Sequence, residues 1–228
     1  MNLACDEALL DMCEDGLFEE EVLRFWEPTE YFVVLGYTNK LLENINPEIC
    51  SSLQMPVFRR CSGGGTVVQG PGCFNYSLVL DSLKHPELNT IGSTTQLVLR
   101  RHRETIEQIT NEPVSLSGIS DLTIRNLKFS GNAQRRKKRF VLFHGTFMVG
   151  MEIPLIERVL FHPPHEPEYR HGRSHGTFLI NLSCSASAIR SALERAWSVD
   201  EIISSIPLEK INRLARGRYS DEEWIARR

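Results

Sequence analysis

The pattern of apolar and polar positions along this chain alternates between helical and strand periodicity. Residues 3–13 and 93–110 carry apolar side chains three or four positions apart, which predicts two helices with one apolar face each. The first of these helices is expected to end near Gly16. Further helices are predicted at 47–53, at 189–197, at 199–203 and from Ser220 onward.

Short runs rich in β-branched and aromatic residues predict strands. They lie at 22–26, 31–35, 57–60, 66–68, 75–80, 122–124, 127–130 and 139–143, the last continued over 146–149. Helices and strands mixed in this way predict an α+β fold, in which a largely antiparallel central sheet is packed by helices. The chain has no internal repeat, low-complexity segment or domain linker, so residues 1–228 are expected to form a single domain.

Composition and charge argue against several classes of protein. Hydrophobic residues make up 41% of the chain and charged residues 24%, and the net charge of −3 argues against nucleic acid as the main partner. No apolar run approaches the length of a membrane span, and the acidic N-terminus is unlike a signal peptide. The six cysteines show no Cys-x-x-Cys spacing, which favours reduced thiols in a cytoplasmic protein.

Three successive glycines, Gly63, Gly64 and Gly65, lie between two predicted strands. They remove every Cβ from this stretch, so that a ligand can lie against the peptide N–H groups. The arginines at 59 and 60 add positive charge suited to phosphate or carboxylate. The run opens no helix and is not followed by Lys-Ser or Lys-Thr, which excludes a P-loop and a Rossmann fingerprint. A phosphate site on a strand–loop–strand backbone remains.

A second segment contains one lysine, Lys128, beside Ser130 and Gly131. A lone cation in a stretch otherwise light on charge suits an anionic reaction centre. Together with the glycine run, it indicates a site that handles an activated acyl group or a nucleotide.

Four ordered motifs resemble those of the lipoate–protein ligase family. They are Arg-Arg-x-Ser-Gly-Gly-Gly-Thr-Val at 59–67, Gly-Cys-Phe-Asn-Tyr-Ser at 72–77, Lys-Phe-Ser-Gly-x-Ala-x-Arg at 128–135 and His-Gly-Thr at 144–146. The first nine residues and Ser-Gly-Ile-Ser-Asp-Leu at 117–122 are similar to that family too, so that the likeness covers residues 1–182. It implies the catalytic fold shared by biotin ligases, lipoate ligases and octanoyltransferases, distantly like class II aminoacyl-tRNA synthetases.

The resemblance implies an ATP-dependent ligase that converts lipoate or octanoate into an acyl-adenylate. The acyl group would pass to a lysine of a lipoyl-acceptor domain, in a dehydrogenase complex, a glycine-cleavage H protein or a similar protein. Lys128 is implied as the catalytic residue, and Asp121 as a ligand of Mg²⁺ or a residue that orients Lys128, with a plain turn aspartate at the start of a strand as the alternative. Substrate and nucleotide contacts are expected from Arg60, Ser62, Gly63, Gly64, Gly65, Thr66, Gln69, Asn75, Asp121, Ser130, Gly131, Ala133, Arg135, His144 and Gly145.

The sequence departs from the family pattern in ways that leave alternatives open. Gln69 replaces a common histidine, and His-His-Gly becomes Phe-His-Gly at 143–145, which puts the nucleotide contacts in doubt. An octanoyltransferase acting through a cysteine thioester is one alternative, with Cys61 or Cys73 as a displaced nucleophile. A catalytically silent lipoyl-binding or partner subunit is another. Too few residues follow the matched region for the family's accessory domain, so that unit is expected to be absent or a separate chain.

Two further segments are polar. Residues 135–139 form a basic run, read either as a solvated hairpin tip or as a patch in which Arg135 points inward and the other four side chains steer an acidic acceptor. The segment 167–175 has no assigned role, and we expect a mobile loop near the acceptor lysine.

Overall fold

A computed structural model of the protein describes residues 1–203 and 205–227. The strands are β1 (Val22–Trp26), β2 (Phe32–Leu35), β3 (Val57–Arg59), β4 (Val67–Gln69), β5 (Cys73–Asp81), β6 (Val114–Ser117), β7 (Asp121–Ile124), β8 (Leu127–Arg136) and β9 (Phe140–Met148). The helices are α1 (Asn2–Glu14), α2 (Leu41–Asn44), α3 (Pro47–Ser52), α4 (Ile91–Thr110), α5 (Ile153–Val159), α6 (His175–Phe178), α7 (Ala186–Ala196), α8 (Leu208–Leu214) and α9 (Glu222–Ala226). Short 3₁₀ turns cover Pro86–Asn89 and Glu168–Arg170, and a π-helical turn, Ala215–Tyr219, continues α8.

The larger sheet has the order β1-β5-β9-β8-β7-β6, and all its neighbouring strands are antiparallel. A smaller sheet of order β3-β2-β4 contains one parallel pair and one antiparallel pair. This arrangement confirms the predicted α+β architecture with a largely antiparallel central sheet. Within the described residues, no helix is both long and apolar enough to cross a membrane.

Strand β5 lies between β1 and β9 in the larger sheet, and all nine of its residues are buried. Its side chains alternate between two layers, as a pleated strand requires. Tyr76 and Leu78 face α4 and α7, whereas Val79 packs in the cluster that contains α1 and α8. A third cluster joins the smaller sheet to α3 and α5.

The predicted helix at 199–203 was wrong. Residues 199–203 are not helical, because α7 ends at Ala196, Ser198 takes a left-handed φ of 50° and the side chain of Ile202 is 93% exposed, with no surface to pack on. The strand predicted at 139–143 and continued over 146–149 is confirmed as one strand, β9. Its ladder continues through Gly145, which pairs with a residue of β5 on one side and of β8 on the other.

Arg59 is fully buried and bonded to backbone carbonyls. Its Nη1 donates to the carbonyl oxygens of Gly36 at 2.8 Å and Asn39 at 2.7 Å, and its Nη2 donates to Ile225 at 2.7 Å. Trp224 Nε1 donates in return to the Arg59 carbonyl at 2.9 Å. This guanidinium therefore joins the C-terminal helix to the segment after β2, and the anion contact expected from its charge is not what the structure shows.

Replacing Arg59 by alanine should destabilise the protein by about 2–4 kcal/mol, because several buried carbonyls would lose their donor at once. The free energy of unfolding, measured in urea, tests this. The matched control is Arg135→Ala, which removes an exposed arginine and should change stability by less than about 0.5 kcal/mol. Equal stability in the two variants would contradict the structural role of Arg59.

Candidate active site

A cavity of about 1070 Å³ opens between the glycine run, β8 and the segment 161–179. A smaller chamber of about 170 Å³ lies on the other side of the glycine run and reaches α1. The two share a set of lining residues: Gly64, Gly65, Thr66, Val67, Gln69, Ser120, Asp121, Lys128, Gly131, Asn132, Ala133 and Thr146. Half of the residues predicted from the sequence are thus brought together where the two cavities meet.

Lys128 and Asp121 form an ion pair at this junction. The Lys128 Nζ lies 2.7 Å from Asp121 Oδ1, and the hydroxyl of Tyr169 donates to Asp121 Oδ2 at 2.7 Å. Burial and the charge of Asp121 raise the pKa of Tyr169, so its hydroxyl stays protonated and able to donate. The lysine stem crosses Gly131, where a Cβ would lie 3.0 Å from the Lys128 Nζ.

Arg60 holds the glycine run through hydrogen bonds to its backbone carbonyls. The Arg60 Nη2 donates to the carbonyl oxygens of Gly63 at 2.5 Å and Gly65 at 2.8 Å, and its Nε donates to Ser62 Oγ at 3.1 Å. Burial lowers the pKa of this guanidinium to about 10, which leaves it charged at neutral pH. Gly64 takes a left-handed φ of 87°, which glycine adopts without strain. The phosphate contact expected from Arg60 is therefore corrected to a role in shaping the loop.

Ser62 lies behind the loop in a buried polar chain. Its Oγ is 2.6 Å from His144 Nε2, and His144 Nδ1 is 3.6 Å from Asp6 Oδ2. Burial opposes ionisation of Asp6, but His144 and the Arg24 guanidinium, 2.6 Å from Asp6 Oδ1, outweigh it and lower the pKa of Asp6. The order Ser–His–Asp resembles a hydrolase triad. Ser62 is only 1% exposed and accepts from Arg60, so the chain positions the loop, and the expected phosphate contact of Ser62 is corrected.

Three more polar side chains close a ring in the smaller chamber. Asn75 donates to Gln69 Oε1 at 2.9 Å, Gln69 donates to Thr146 Oγ1 at 2.8 Å, and Thr146 donates to Asn75 Oδ1 at 2.5 Å. Gln69 and Asn75 are buried. Because these groups satisfy one another, the ring holds its shape without a ligand.

Asn132 is a site residue that sequence reasoning missed. It accepts from the hydroxyl of Tyr76 at 2.5 Å and donates to the carbonyl of Ser120 at 2.8 Å. A Cβ at Gly145 would lie 1.9 Å from Asn132 Oδ1, which explains the glycine after His144. Its position between Gly131 and Ala133, both predicted, was the only available signal.

The remaining predicted residues differ in placement. Thr66 lines the cavity and donates to Asn44 Oδ1 at 3.0 Å, and Ala133 lines it beside Gly64. Ser130 is buried under the cavity floor, within 3.4 Å of the Asn132 amide. Arg135 lies outside both cavities, exposed, with its guanidinium 5.8 Å from the ring centre of Tyr37. The expectation that it points into the site was wrong, because β8 carries it past the end of the glycine run.

The rest of the basic run is largely engaged within the chain. Lys137 pairs with Asp11, and Arg139 pairs with Asp81. Arg136 donates to Thr94 Oγ1 at 3.0 Å. These contacts favour the hairpin interpretation, and steering of an acidic acceptor stays a prediction.

Neither cysteine proposed as a nucleophile is activated. Burial raises the pKa of the Cys61 thiol to about 12, and Cys61 does not line the described cavities. Burial raises the pKa of Cys73 to about 11; this thiol lines the larger cavity and lies 3.7 Å from the sulfur of Met151. Reactive thiols have lowered pKa values, so both side chains pack as small apolar groups.

Asp121 is the one residue predicted from the sequence to bind Mg²⁺. Both oxygens of Asp121 are already engaged, by Lys128 and Tyr169. Across residues 1–203 and 205–227, no three His, Cys, Asp or Glu side chains group together as a metal site. These residues do not form a protein site for a divalent cation, and Mg²⁺ is given no role in the mechanism below.

Comparison with known proteins identifies the family to which this chain belongs. Residues 1–209 match the family model described as the lipoyl protein ligase A/B catalytic domain, and the chain therefore belongs to that family. The octanoyltransferase LipM of Brevibacillus brevis is 24% identical over 100% of this chain and 95% of its own length. The resemblance stated from the motifs is thereby confirmed.

Solved structures show the same fold. The bi-partite lipoate protein ligase of Thermoplasma acidophilum, described with its E2 lipoyl domain, superposes with a TM-score of 0.81 at 22% identity, covering 99% of this chain and 90% of that one. A lipoate-protein ligase A bound with ATP has a TM-score of 0.74 at 22% identity, with 98% and 92% covered.

Two glycine variants should separate ligand contact from folding. A Cβ on Gly65 meets no atom within 4 Å, so Gly65→Ala should unfold as the parent does, yet bind a nucleotide probe such as ATP about tenfold more weakly. Gly145→Ala should lose about 1–3 kcal/mol of stability because its methyl would overlap Asn132. Thermal unfolding and calorimetric titration measure the two effects. Full ATP binding by Gly65→Ala would show that ligand does not lie against this loop.

Proposed function

We propose that the protein activates lipoate or octanoate with ATP and transfers the acyl group to a lysine of a lipoyl-acceptor domain. The observation that carries this proposal is the Lys128 ammonium, held where two cavities meet beside a glycine run. Membership of the lipoyl protein ligase A/B family supports the acyl group, and the related structure bound with ATP supports the nucleotide.

The first half-reaction places negative charge where Lys128 can reach. A carboxylate oxygen of the acid attacks the α-phosphorus of ATP, pyrophosphate leaves, and an acyl-adenylate forms. A fixed cation and nearby peptide N–H groups stabilise such a transition state. Lys128 supplies the cation, and the absence of side chains at 63–65 lets the phosphate approach the backbone.

The second half-reaction joins the acyl group to protein. The acceptor amine attacks the acyl carbon, the bond to the phosphate oxygen breaks, and AMP leaves as an amide forms. Lys128 again stabilises the oxygen on which charge develops. The acceptor is a lipoyl domain of a dehydrogenase complex, a glycine-cleavage H protein or a similar protein. A separate accessory subunit is part of this proposal, since the related archaeal ligase is bi-partite.

Octanoyl transfer from an acyl carrier protein is the second candidate. Its support is the octanoyltransferase LipM, which aligns with the whole of this chain. In that route a thiolate attacks the acyl-carrier thioester, the carrier thiol leaves, and the acceptor amine then displaces the enzyme thiol. Cys73 is the candidate nucleophile because it lines the larger cavity.

Lys128→Ala should reduce acyl transfer to a lipoyl domain by several orders of magnitude, since its charge is used in both half-reactions. The variant also leaves the buried Asp121 without its counter-charge, so it should lose about 1–3 kcal/mol of stability, and turnover is compared at a temperature where both proteins are folded. Lys84→Ala, an exposed lysine outside both cavities and outside the basic run, is the control and should retain parental turnover. Near-normal turnover in Lys128→Ala would remove this lysine from the mechanism.

The ligase and transferase routes differ in their need for ATP and for a thiol. On the ligase route, acylation of a lipoyl domain requires ATP, and the double variant Cys61→Ser/Cys73→Ser keeps most of its activity. Mass spectrometry of the acceptor domain, with ATP plus lipoate or with octanoyl carrier protein, measures both properties. An octanoyl thioester trapped on Cys73 without ATP would instead establish the transferase route.

A further inference from the structure

The hydroxyl of Tyr169 is connected to Lys128 through a single carboxylate. Tyr169 donates to Asp121 Oδ2, Lys128 binds Asp121 Oδ1, and each contact measures 2.7 Å. Asp121 is only 8% exposed, so these two partners rather than water determine how its carboxylate is oriented. Lys128 and Tyr169 come from distant parts of the chain, and nothing in the predicted mechanism uses the tyrosine.

The ring of Tyr169 is held by packing that does not involve its hydroxyl. Its centroid lies 5.2 Å from that of Phe178, and a Cβ at Gly118 would lie 3.2 Å from its Cε1. The segment around it has other attachments, because Arg173 Nη1 donates to the Asn126 carbonyl at 3.1 Å and the Ile180 amide donates to the Lys128 carbonyl at 3.0 Å. A phenylalanine at 169 would keep this packing and lose one hydrogen bond.

We propose that Tyr169 is a positioning residue for Lys128. Its hydroxyl orients the Asp121 carboxylate, and the oriented carboxylate holds the ammonium at the cavity wall until an anionic substrate group competes for it. The hold on Lys128 exists without substrate, and only its use in turnover rests on the proposed function. The main role of Asp121 is then to bind and hold the Lys128 ammonium.

The direct test measures the reactivity of Lys128 without any substrate. Tyr169→Phe, Asp121→Asn and the double variant are treated with acetic anhydride at one pH, and peptide mass spectrometry gives the rate at which Lys128 is acetylated. Loss of the orienting bond frees the amine, so Lys128 should react several-fold faster in Tyr169→Phe and in Asp121→Asn. The double variant should react no faster than Asp121→Asn, because the tyrosine acts through the carboxylate.

Tyr37→Phe is the matched control. Its hydroxyl accepts from Arg227 at 3.1 Å outside both cavities, so Lys128 should react at the parental rate. A parental rate in Tyr169→Phe, together with a raised rate in Asp121→Asn, would overturn the proposal. Additive effects in the double variant would also overturn it.

Turnover gives a second measurement. In Tyr169→Phe, kcat for acyl transfer should fall about tenfold while KM for the acyl substrate stays unchanged, because a positioning residue alters the reacting geometry. A rise in KM with kcat unchanged would make Tyr169 a substrate contact and contradict the proposal. A parent protein that transfers no acyl group would overturn the proposed function, whereas the acetylation test would still decide the role of Tyr169.

Discussion

The site depends on two buried guanidinium groups that bond to backbone carbonyls. Arg59 donates to carbonyl oxygens in the segment after β2 and in α9, and Arg60 donates to the carbonyl oxygens of Gly63 and Gly65. A glycine run has little to fix its conformation, because it carries no side chains and loses much entropy on ordering. Charge-assisted hydrogen bonds from the planar guanidinium groups hold this backbone in one conformation. A lysine ammonium could not replace either guanidinium, because it does not offer several donors in one plane.

Beside the glycine run, the position of Lys128 is fixed by its ion pair with Asp121. A lysine at the wall of a cavity would be free to turn into solvent, whereas an ion pair shielded from water holds it near the loop. On the proposed route, an anionic substrate group would replace one anionic partner of the ammonium by another, so that the ammonium would not be desolvated without a counter-charge. The buried chain from Asp6 through His144 to Ser62 connects the opposite side of the loop to α1.

The sequence was sufficient for the fold class and for the part of the cavity wall formed by the glycine run and Lys128, because both depend on local patterns. Helix α4 and strand β5 follow from periodicity, and the glycine run and Lys128 follow from short motifs. What could not be predicted is the direction of side chains and contacts between distant segments. Arg59 and Arg60 looked like anion ligands because composition shows charge but not orientation, and Tyr169 had no motif to indicate that it reaches Asp121.

The choice between an adenylate and a thioester route depends on the surroundings of one thiol. Burial raises the pKa of Cys73 to about 11, so that little of this thiol is ionised at neutral pH, and the thiolate is the nucleophile. A thioester route would therefore need substrate binding to bring a base or a cation to Cys73. An adenylate route needs only groups that already line the cavity, a fixed ammonium and an unobstructed backbone. These physical requirements support the adenylate route proposed here, and the fold is compatible with both routes.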